Sequence, residues 1–355
     1  MERKRARELG IALGTLPTGK RNAITDVAGV RVGHTTLVEG DAVRTGVTLV
    51  LPGEEPLFAG AHRLNGNGEL TGLEWVRESG MLTTPVGLTN THSVGVVRDA
   101  IVAAARAAAH PNGAWSLPVV GETWDGVLND IDGMHVRAEH VAAAHAAASD
   151  GDVAEGNVGG GTGMICHGFK GGIGTSSRVV EEAEGAVVGV LVQANYGRRH
   201  RLRIDGVPVG EAIPVADVPA PGPSDGSAGG SIIALVATDA PLLPGQCERL
   251  AQRAGLGVAR MGGVGEDSSG DLFLAFSTGN RGLGERSGTV PLRMLPNERM
   301  TPLFDAVVEA TEEAIVNALC AAETMTGLGG STAHAIPLDR LTSVFGPSVQ
   351  EPRGA

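Results

Sequence analysis

Residues 229–241 read GGSIIALVATDAP. The apolar run Ile232–Ala237 is rich in β-branched residues and ends at a polar turn, which predicts a buried strand. Residues 217–230, immediately before it, are rich in Pro, Gly and Ser, a composition typical of an exposed linker or turn. Ser231 therefore stands where a connector meets a core strand, directly behind two glycines.

This junction has two interpretations. Glycine adopts backbone conformations that are closed to other residues, so the Gly230–Ser231 peptide can be strained or closely approached. Cleavage of that bond would leave Ser231 with a hydroxyl and a free α-amine, the two groups that an N-terminal nucleophile uses. Alternatively, Ser231 simply opens a strand after a surface linker. The junction alone favours the second interpretation, because no single motif is decisive.

Composition excludes several classes of protein. The 355 residues, 42% of them hydrophobic, are enough for a large core in one or two domains. The net charge of −12 argues against a nucleic-acid or anionic-membrane partner, both of which require a basic face. We find no apolar run long enough to span a bilayer and no signal-peptide core. Three cysteines without metal-binding spacing are typical of a reducing cytoplasm.

The predicted elements come in neighbouring groups rather than in strict alternation. Strands are predicted at 29–36, 46–52, 186–195, 232–237 and 271–277. Helices are predicted at 96–109, 134–148, 239–255 and 301–326. We therefore expect an α+β fold in which helices cover both faces of two stacked sheets, rather than a doubly wound α/β fold.

Two apparent ligand motifs do not withstand inspection. The glycine-rich loop 155–164 lacks the Gly-Lys-Ser/Thr end of a phosphate loop and the setting of a dinucleotide fingerprint. We therefore expect close backbone packing or a wall of the active site, and no nucleotide. His135, His140 and His145 are five residues apart, which does not place two ligands on one helix face. We expect no metal and no cofactor.

Three polar residues at strand ends are candidates for acid–base work. Ser269 and Asp271 are two apart at the head of a predicted strand, where they would share a face as a small proton-transfer pair. A capped turn is the alternative, since Ser and Asp are turn formers. Asn195, at the end of another strand, is either an amide donor to an oxyanion or a turn residue.

Several strings, in one order along nearly the whole chain, resemble the L-aminopeptidase/D-amino-acid esterase-amidases and β-aminopeptidases, which are self-processing N-terminal-serine hydrolases. They are Arg21–Val27, Val32–Thr36, Leu88–Gly95, Glu122–Gly126, Leu128–Asp130, Gly156–Met164, Val192–Gly197, Gly230–Ser231, Thr238–Leu242 and Ser269–Asp271. This agreement reverses the preference at the junction and favours self-cleavage there.

The resemblance implies a four-layer α/β/β/α sandwich, similar to the N-terminal nucleophile hydrolases but differently connected. It implies one catalytic domain, 1–355, that cuts itself into an α chain, 1–230, and a β chain, 231–355. Such pairs are expected to assemble into a homo-oligomer, typically a tetramer of αβ units. The substrates implied are small peptides, amides or esters with a free amino group.

The resemblance also assigns roles to residues. Ser231 is the implied nucleophile of both self-cleavage and turnover, and Asn195 an oxyanion donor. Ser269 and Asp271 would relay protons and orient the nucleophile, and Glu122 would bind the substrate amine. Trp124 departs from the family, where we expect Glu-Thr-Tyr; an indole N–H donates a hydrogen bond but cannot accept one or shuttle a proton.

Three questions stay open at this stage. The base is either the new α-amine, which titrates at about 7.7–8.0, or the pair Ser269 and Asp271. The same acyl-enzyme chemistry would also serve an aminoacyl transferase that uses an amine acceptor instead of water. From a different class, an inactive homologue that binds a small molecule would explain Trp124 as a lost catalytic hydroxyl.

Overall fold

The structure, a computed structural model, describes residues 3–108, 116–222, 230–285 and 287–346. The strands within them are β1 Arg31–Glu39, β2 Val43–Leu51, β3 Leu57–Arg63, β4 Met81–Leu82, β5 Val86–Asn90, β6 Val119–Thr123, β7 Ile165–Cys166, β8 Phe169–Lys170, β9 Gly172–Val180, β10 Ala186–Asn195, β11 Ser231–Thr238, β12 Leu272–Ser277, β13 Met325–Thr326 and β14 Thr332–Ala333. The α-helices are α1 Leu73–Ser79, α2 Val94–Ala108, α3 Ala138–Ala146, α4 Val209–Ala212, α5 Pro244–Arg260, α6 Thr301–Ala321 and α7 Leu338–Phe345.

Two large sheets form the middle of the molecule. One has four strands in the order β1-β2-β5-β6, and the other has six in the order β4-β3-β12-β11-β10-β9. Helices α2 and α3 share one apolar core with the outer face of the first sheet, and α5 and α6 share another with the outer face of the second. A third core lies between the sheets. The predicted four-layer α/β/β/α sandwich is therefore confirmed.

Strand β11 runs through the centre of the larger sheet and is buried along its whole length. It pairs antiparallel with β10 and parallel with β12. Ile233 and Leu235 belong to the core between the sheets, whereas Ile232 and Ala234 belong to the core beneath α5 and α6. Burial on both faces requires an uninterrupted apolar run, which is why the sequence predicted this strand correctly.

A buried charge cluster fastens the N-terminal segment to α6. The fully buried Arg178 on β9 contacts Glu309 at 3.0 Å and Glu313 at 2.7 Å. Glu313 also accepts from Arg7 at 2.9 Å and from the amide of Asn22. The carboxylates are thus paired rather than isolated, which is the condition under which buried charge is tolerated.

Some predicted bounds were wrong. Helix α5 begins at Pro244 instead of Asp239, because the Asp239 carboxylate accepts the Val187 N–H at 2.7 Å and so belongs to the end of the sheet. Met134, predicted as helical, has φ +48°, and α3 begins only at Ala138. Helix α6 ends at Ala321 rather than 326. Residue 109, the predicted end of α2, and residues 223–229 of the predicted linker lie outside the described residues.

No helix in the described ranges combines the length and the apolar character that crossing a membrane would require.

Candidate active site

Ser231 and Asn195 are brought together by sheet register. Ser231 is the first residue of β11 and lies directly opposite Asn195, the last residue of β10, in an antiparallel ladder. Directly opposed residues present their side chains on the same face. Ser231 is only 6% exposed, and a Cβ on the preceding Gly230 would lie 1.9 Å from the backbone oxygen of Asn195. The strand end therefore has room for glycine alone before the serine.

The Asn195 carboxamide is held at both ends. Its Oδ1 accepts the backbone N–H of Ile165 at 2.7 Å, and its Nδ2 donates to the backbone oxygen of Trp124 at 2.9 Å. These two partners fix the amide orientation, because exchanging oxygen and nitrogen would pair donor with donor and acceptor with acceptor. An NH₂ group carries two hydrogens, so one remains for a ligand after the bond to Trp124.

The segment Ser269–Asp271 contacts the first two residues of β11. The Gly270 N–H donates to Ser231 Oγ at 2.9 Å, and the Ser269 hydroxyl donates to Asp271 Oδ1 at 2.5 Å. The same carboxylate oxygen accepts the Ile232 N–H at 3.2 Å. Asp271 is thereby tied both to Ser269 and to the residue that follows Ser231.

The structure corrects the expected reason for this pairing. Strand β12 begins at Leu272, so Ser269 and Asp271 lie in the turn before it and do not share a strand face. Burial raises the pKa of Asp271, while the hydrogen bonds from Ser269 and Ile232 act in the opposite direction. A carboxyl group with a raised pKa titrates closer to neutral pH, as a proton-relaying group requires.

Glu122, next to the end of β6, is a buried carboxylate that faces the same space. It is 3% exposed; its Oε1 accepts the backbone N–H of Glu69 at 2.9 Å, and its Oε2 accepts the hydroxyl of Thr91. Burial raises the pKa of Glu122, and the hydrogen bonds from Thr91 and Glu69 oppose that rise. The carboxylate is thus held by two hydrogen bonds, and among the described residues it forms no ion pair with a lysine or an arginine.

Ser231 and Glu122 line one cavity, which has a volume of about 430 Å³. It is lined by Asn67, Gly68, Glu69, Thr91, Glu122, Trp124, Gly230, Ser231 and Ser268. Within the described part of the chain, this lining holds two carboxylates and no lysine or arginine. Trp124 is 41% exposed and forms part of the wall. The cavity is therefore an acidic pocket beside a serine hydroxyl and suits a small cationic molecule.

All the predicted site residues fall in this one region. The sequence analysis did not single out Thr91, the Glu69 N–H or the Gly270 N–H, which contact Glu122 and Ser231, although Thr91 lies in a family-like string. That loop packs tightly between the sheets: a Cβ on Gly161 would lie 2.4 Å from the Ile173 nitrogen. The predicted close backbone packing is thereby confirmed. In the described ranges, no three His, Cys, Asp or Glu side chains are grouped to hold a metal.

The architecture places the chain among hydrolases of the N-terminal nucleophile type. The solved L-aminopeptidase D-Ala-esterase/amidase from Ochrobactrum anthropi, described as a variant of that fold, has a TM-score of 0.88 and 44% identity, covering 96% of this chain and 98% of its own. Residues 22–333 match the sequence profile of Peptidase family S58, and the chain belongs to that family. It is accordingly a serine hydrolase of the aminopeptidase and amidase-esterase kind.

Two further relatives cover almost the whole chain. The beta-peptidyl aminopeptidase BapA of Sphingosinicella microcystinivorans is 49% identical, over 97% of this chain and 92% of the relative. A solved Burkholderia sp. beta-aminopeptidase has a TM-score of 0.91 and 54% identity, covering 98% of this chain and 100% of its own.

Proposed function

We propose that this chain cleaves its own Gly230–Ser231 bond and then uses Ser231 to remove N-terminal residues from small peptides, amides or esters. The products of cleavage would be an α chain, 1–230, and a β chain, 231–355, that stay together as one domain. The observation that carries the proposal is the position of Ser231, which lies opposite Asn195 in the sheet and lines a pocket that Glu122 also lines.

Both reactions are acyl transfers to the same oxygen. In maturation, the Ser231 hydroxyl attacks the Gly230 carbonyl, the amide bond to the Ser231 nitrogen breaks, and water hydrolyses the resulting ester. In turnover, the hydroxyl attacks the substrate acyl carbon, the leaving amine or alcohol takes up a proton, and water releases the acid. The Gly270 N–H that donates to Ser231 Oγ holds this oxygen at the strand end.

Asn195 and the Ser269–Asp271 pair supply the supporting groups. The second hydrogen of Asn195 Nδ2 would donate to the oxyanion of the tetrahedral intermediate, a contribution of about 10²–10³-fold in comparable enzymes. The Ser231 α-amine freed by maturation would act as the base, its neutral fraction being appreciable near pH 7.7–8.0. Asp271 accepts hydrogen bonds from Ser269 and from the N–H of Ile232, the residue that follows Ser231, and would hold the orientation of that amine.

The pocket defines the substrate by charge. Glu122 would pair with the free ammonium group of the substrate, which makes the enzyme an exopeptidase. Because several relatives are named for β-peptides and β-amino acids, we include N-terminal β-amino residues among the proposed substrates. Trp124 replaces the expected tyrosine without a hydroxyl, so no proton transfer passes through that position. The family resemblance further supports assembly as a tetramer of αβ units, and the three free cysteines support a cytoplasmic location.

The decisive variant is Ser231→Ala, with Ser343→Ala on the exposed face of α7 as the matched control. We expect the denatured Ser231→Ala protein to stay a single 36.1 kDa chain and to hydrolyse no aminoacyl p-nitroanilide. The control should yield two fragments, the smaller beginning Ser231-Ile232-Ile233, with full activity. A processed or active Ser231→Ala protein would refute the assignment.

A further inference from the structure

Lys170 is a fully buried lysine close to the proposed site. It lies on β8, and its Nζ donates to three backbone carbonyls: Met164 at 2.8 Å, Gly171 at 3.0 Å and Gly161 at 3.2 Å. An ammonium group has three hydrogens, so these acceptors use all of them. Charge-assisted bonds of this kind are about twice as strong as neutral ones.

One of these acceptors belongs to the peptide group that orients Asn195. The carbonyl of Met164 and the N–H of Ile165 are the two ends of a single peptide bond. Lys170 donates to the carbonyl end, and the N–H end donates to Asn195 Oδ1 at 2.7 Å. The Nδ2 end of the Asn195 amide donates to the backbone oxygen of Trp124, which lines the Ser231 pocket, and Asn195 itself lies opposite Ser231 across the β10–β11 pair. The hydrogen bonds therefore form a chain that runs from the Lys170 ammonium through the Met164–Ile165 peptide to the Asn195 carboxamide, and from there to the proposed position of the oxyanion.

Hydrogen bonds in such a chain strengthen one another. Donation to a carbonyl oxygen draws electron density from the peptide and makes its N–H a better donor, and the same holds for the next amide. A positive charge at the start of the chain thus increases the donor strength of Asn195 Nδ2 without touching the substrate.

We propose that Lys170 is a positioning residue that orients and polarises the Asn195 amide through the Met164–Ile165 peptide. This inference rests on the proposed function of Asn195 as an oxyanion donor. It adds a role for the segment between the glycine-rich loop and β9, whose turn the three Lys170 bonds hold in place.

The proposal carries a pH dependence. Burial lowers the pKa of Lys170 to about 7; the Asp125 carboxylate after β6 acts to raise it, and Cys166 on β7 would do so only as a thiolate. Burial also brings the pKa of Cys166 to about 12 and that of Asp125 to about 6, so near neutral pH the first is a thiol and the second a carboxylate. Above about pH 7 the neutral amine keeps only two hydrogens, one carbonyl loses its donor, and the polarising charge disappears.

The test uses Lys170→Met and Lys170→Gln in the full chain, with an aminoacyl p-nitroanilide as the substrate. We expect Lys170→Met to lower kcat at least about tenfold with KM within about threefold, because the loss falls on the transition state. Lys170→Gln should be intermediate, since its amide supplies neutral donors. In an Asn195→Ala background, Lys170→Met should have no further effect on kcat, because coupled residues are not additive.

A separate measurement needs no lysine variant. The ratio of wild-type kcat to Asn195→Ala kcat should fall as the pH rises from 6 to 9, since only the wild type benefits from the charged lysine. A flat ratio, wild-type kcat in Lys170→Met, or full additivity in the double variant would overturn the inference. If one of these results is obtained while Ser231→Ala is inactive in the same assays, only the role of Lys170 is refuted and the proposed function stands. If Ser231→Ala is active, both proposals fall.

Discussion

Replacing Glu122 by glutamine tests how the pocket selects its substrate. The change keeps the shape and removes the charge. One Glu122 oxygen accepts the Glu69 N–H and the other accepts the Thr91 hydroxyl. In the amide, one oxygen becomes an NH₂ group, so one of these partners loses its acceptor. If Glu122 binds the substrate as proposed, both the lost charge and the lost hydrogen-bond acceptor would weaken the binding of a substrate ammonium group.

The size of the effect follows from burial. Two unit charges about 4 Å apart attract by about 4 kcal/mol at an effective dielectric constant of about 20. Removing one partner of a buried pair costs about 2–5 kcal/mol. Because Glu122 is 3% exposed, solvent screens it little. We therefore expect kcat/KM to fall by about 30- to 4,000-fold, chiefly through KM. Glu69→Gln, an exposed carboxylate in the same pocket, should cost far less.

The assay compares an aminoacyl p-nitroanilide with its N-acetyl derivative, which has no ammonium group. Glu122→Gln should slow the first substrate strongly and leave the second nearly as slow as it is in the wild type. Because burial raises the pKa of Glu122, the wild-type advantage should shrink as acid protonates the carboxylate, starting at a higher pH than for an ordinary glutamate. A kcat/KM within threefold of wild type for the free-amine substrate would refute the reasoning.

Two other substitutions probe the junction and the core. In Gly230→Ala, the new Cβ would lie 1.9 Å from the Asn195 backbone oxygen, so the Gly230–Ser231 peptide bond, the proposed cleavage site, must shift. We expect precursor cleavage, followed by intact mass over time, to slow by about 100-fold; cleavage at the wild-type rate would contradict this. Burial tends to raise the pKa of Glu313, but the charges of Arg178 and Arg7 outweigh it, and the net pKa is lowered. Its stabilising effect is therefore present above the ordinary glutamate pKa and lost as the pH falls below it. In urea denaturation at pH 7, the free energy of unfolding of Glu313→Gln should be about 3–5 kcal/mol lower than that of the wild type. This difference should become smaller in acid, and a difference that does not depend on pH would be inconsistent with the pairing.

The layers of the fold were predictable because they depend on local patterns. Strand β10 has the predicted bounds, and the apolar run of β11 reflects burial on both faces. The start of α5 was predicted wrongly because it depends on a contact with a residue far away in the sequence. Asp239 looks like a helix cap in the sequence, but its carboxylate accepts the Val187 N–H of β10. Met134 adopts a left-handed backbone conformation that the surrounding sequence does not indicate.

The sequence by itself determined which candidate residues are present and what class of fold they belong to. It contains a serine behind two glycines at the start of a strand, the family-like strings, a net negative charge and the pattern of a layered sandwich. The tertiary structure decided which of these side chains meet. Asn195 faces Ser231 only because β10 and β11 pair in one register, and a slip by one residue would turn the side chains to opposite faces. Likewise, the contacts of Lys170 with Met164, and of Glu122 with Thr91, form across turns and between strands whose approach depends on packing. Local periodicity encodes which face of an element is buried, but not which residue of another element lies opposite.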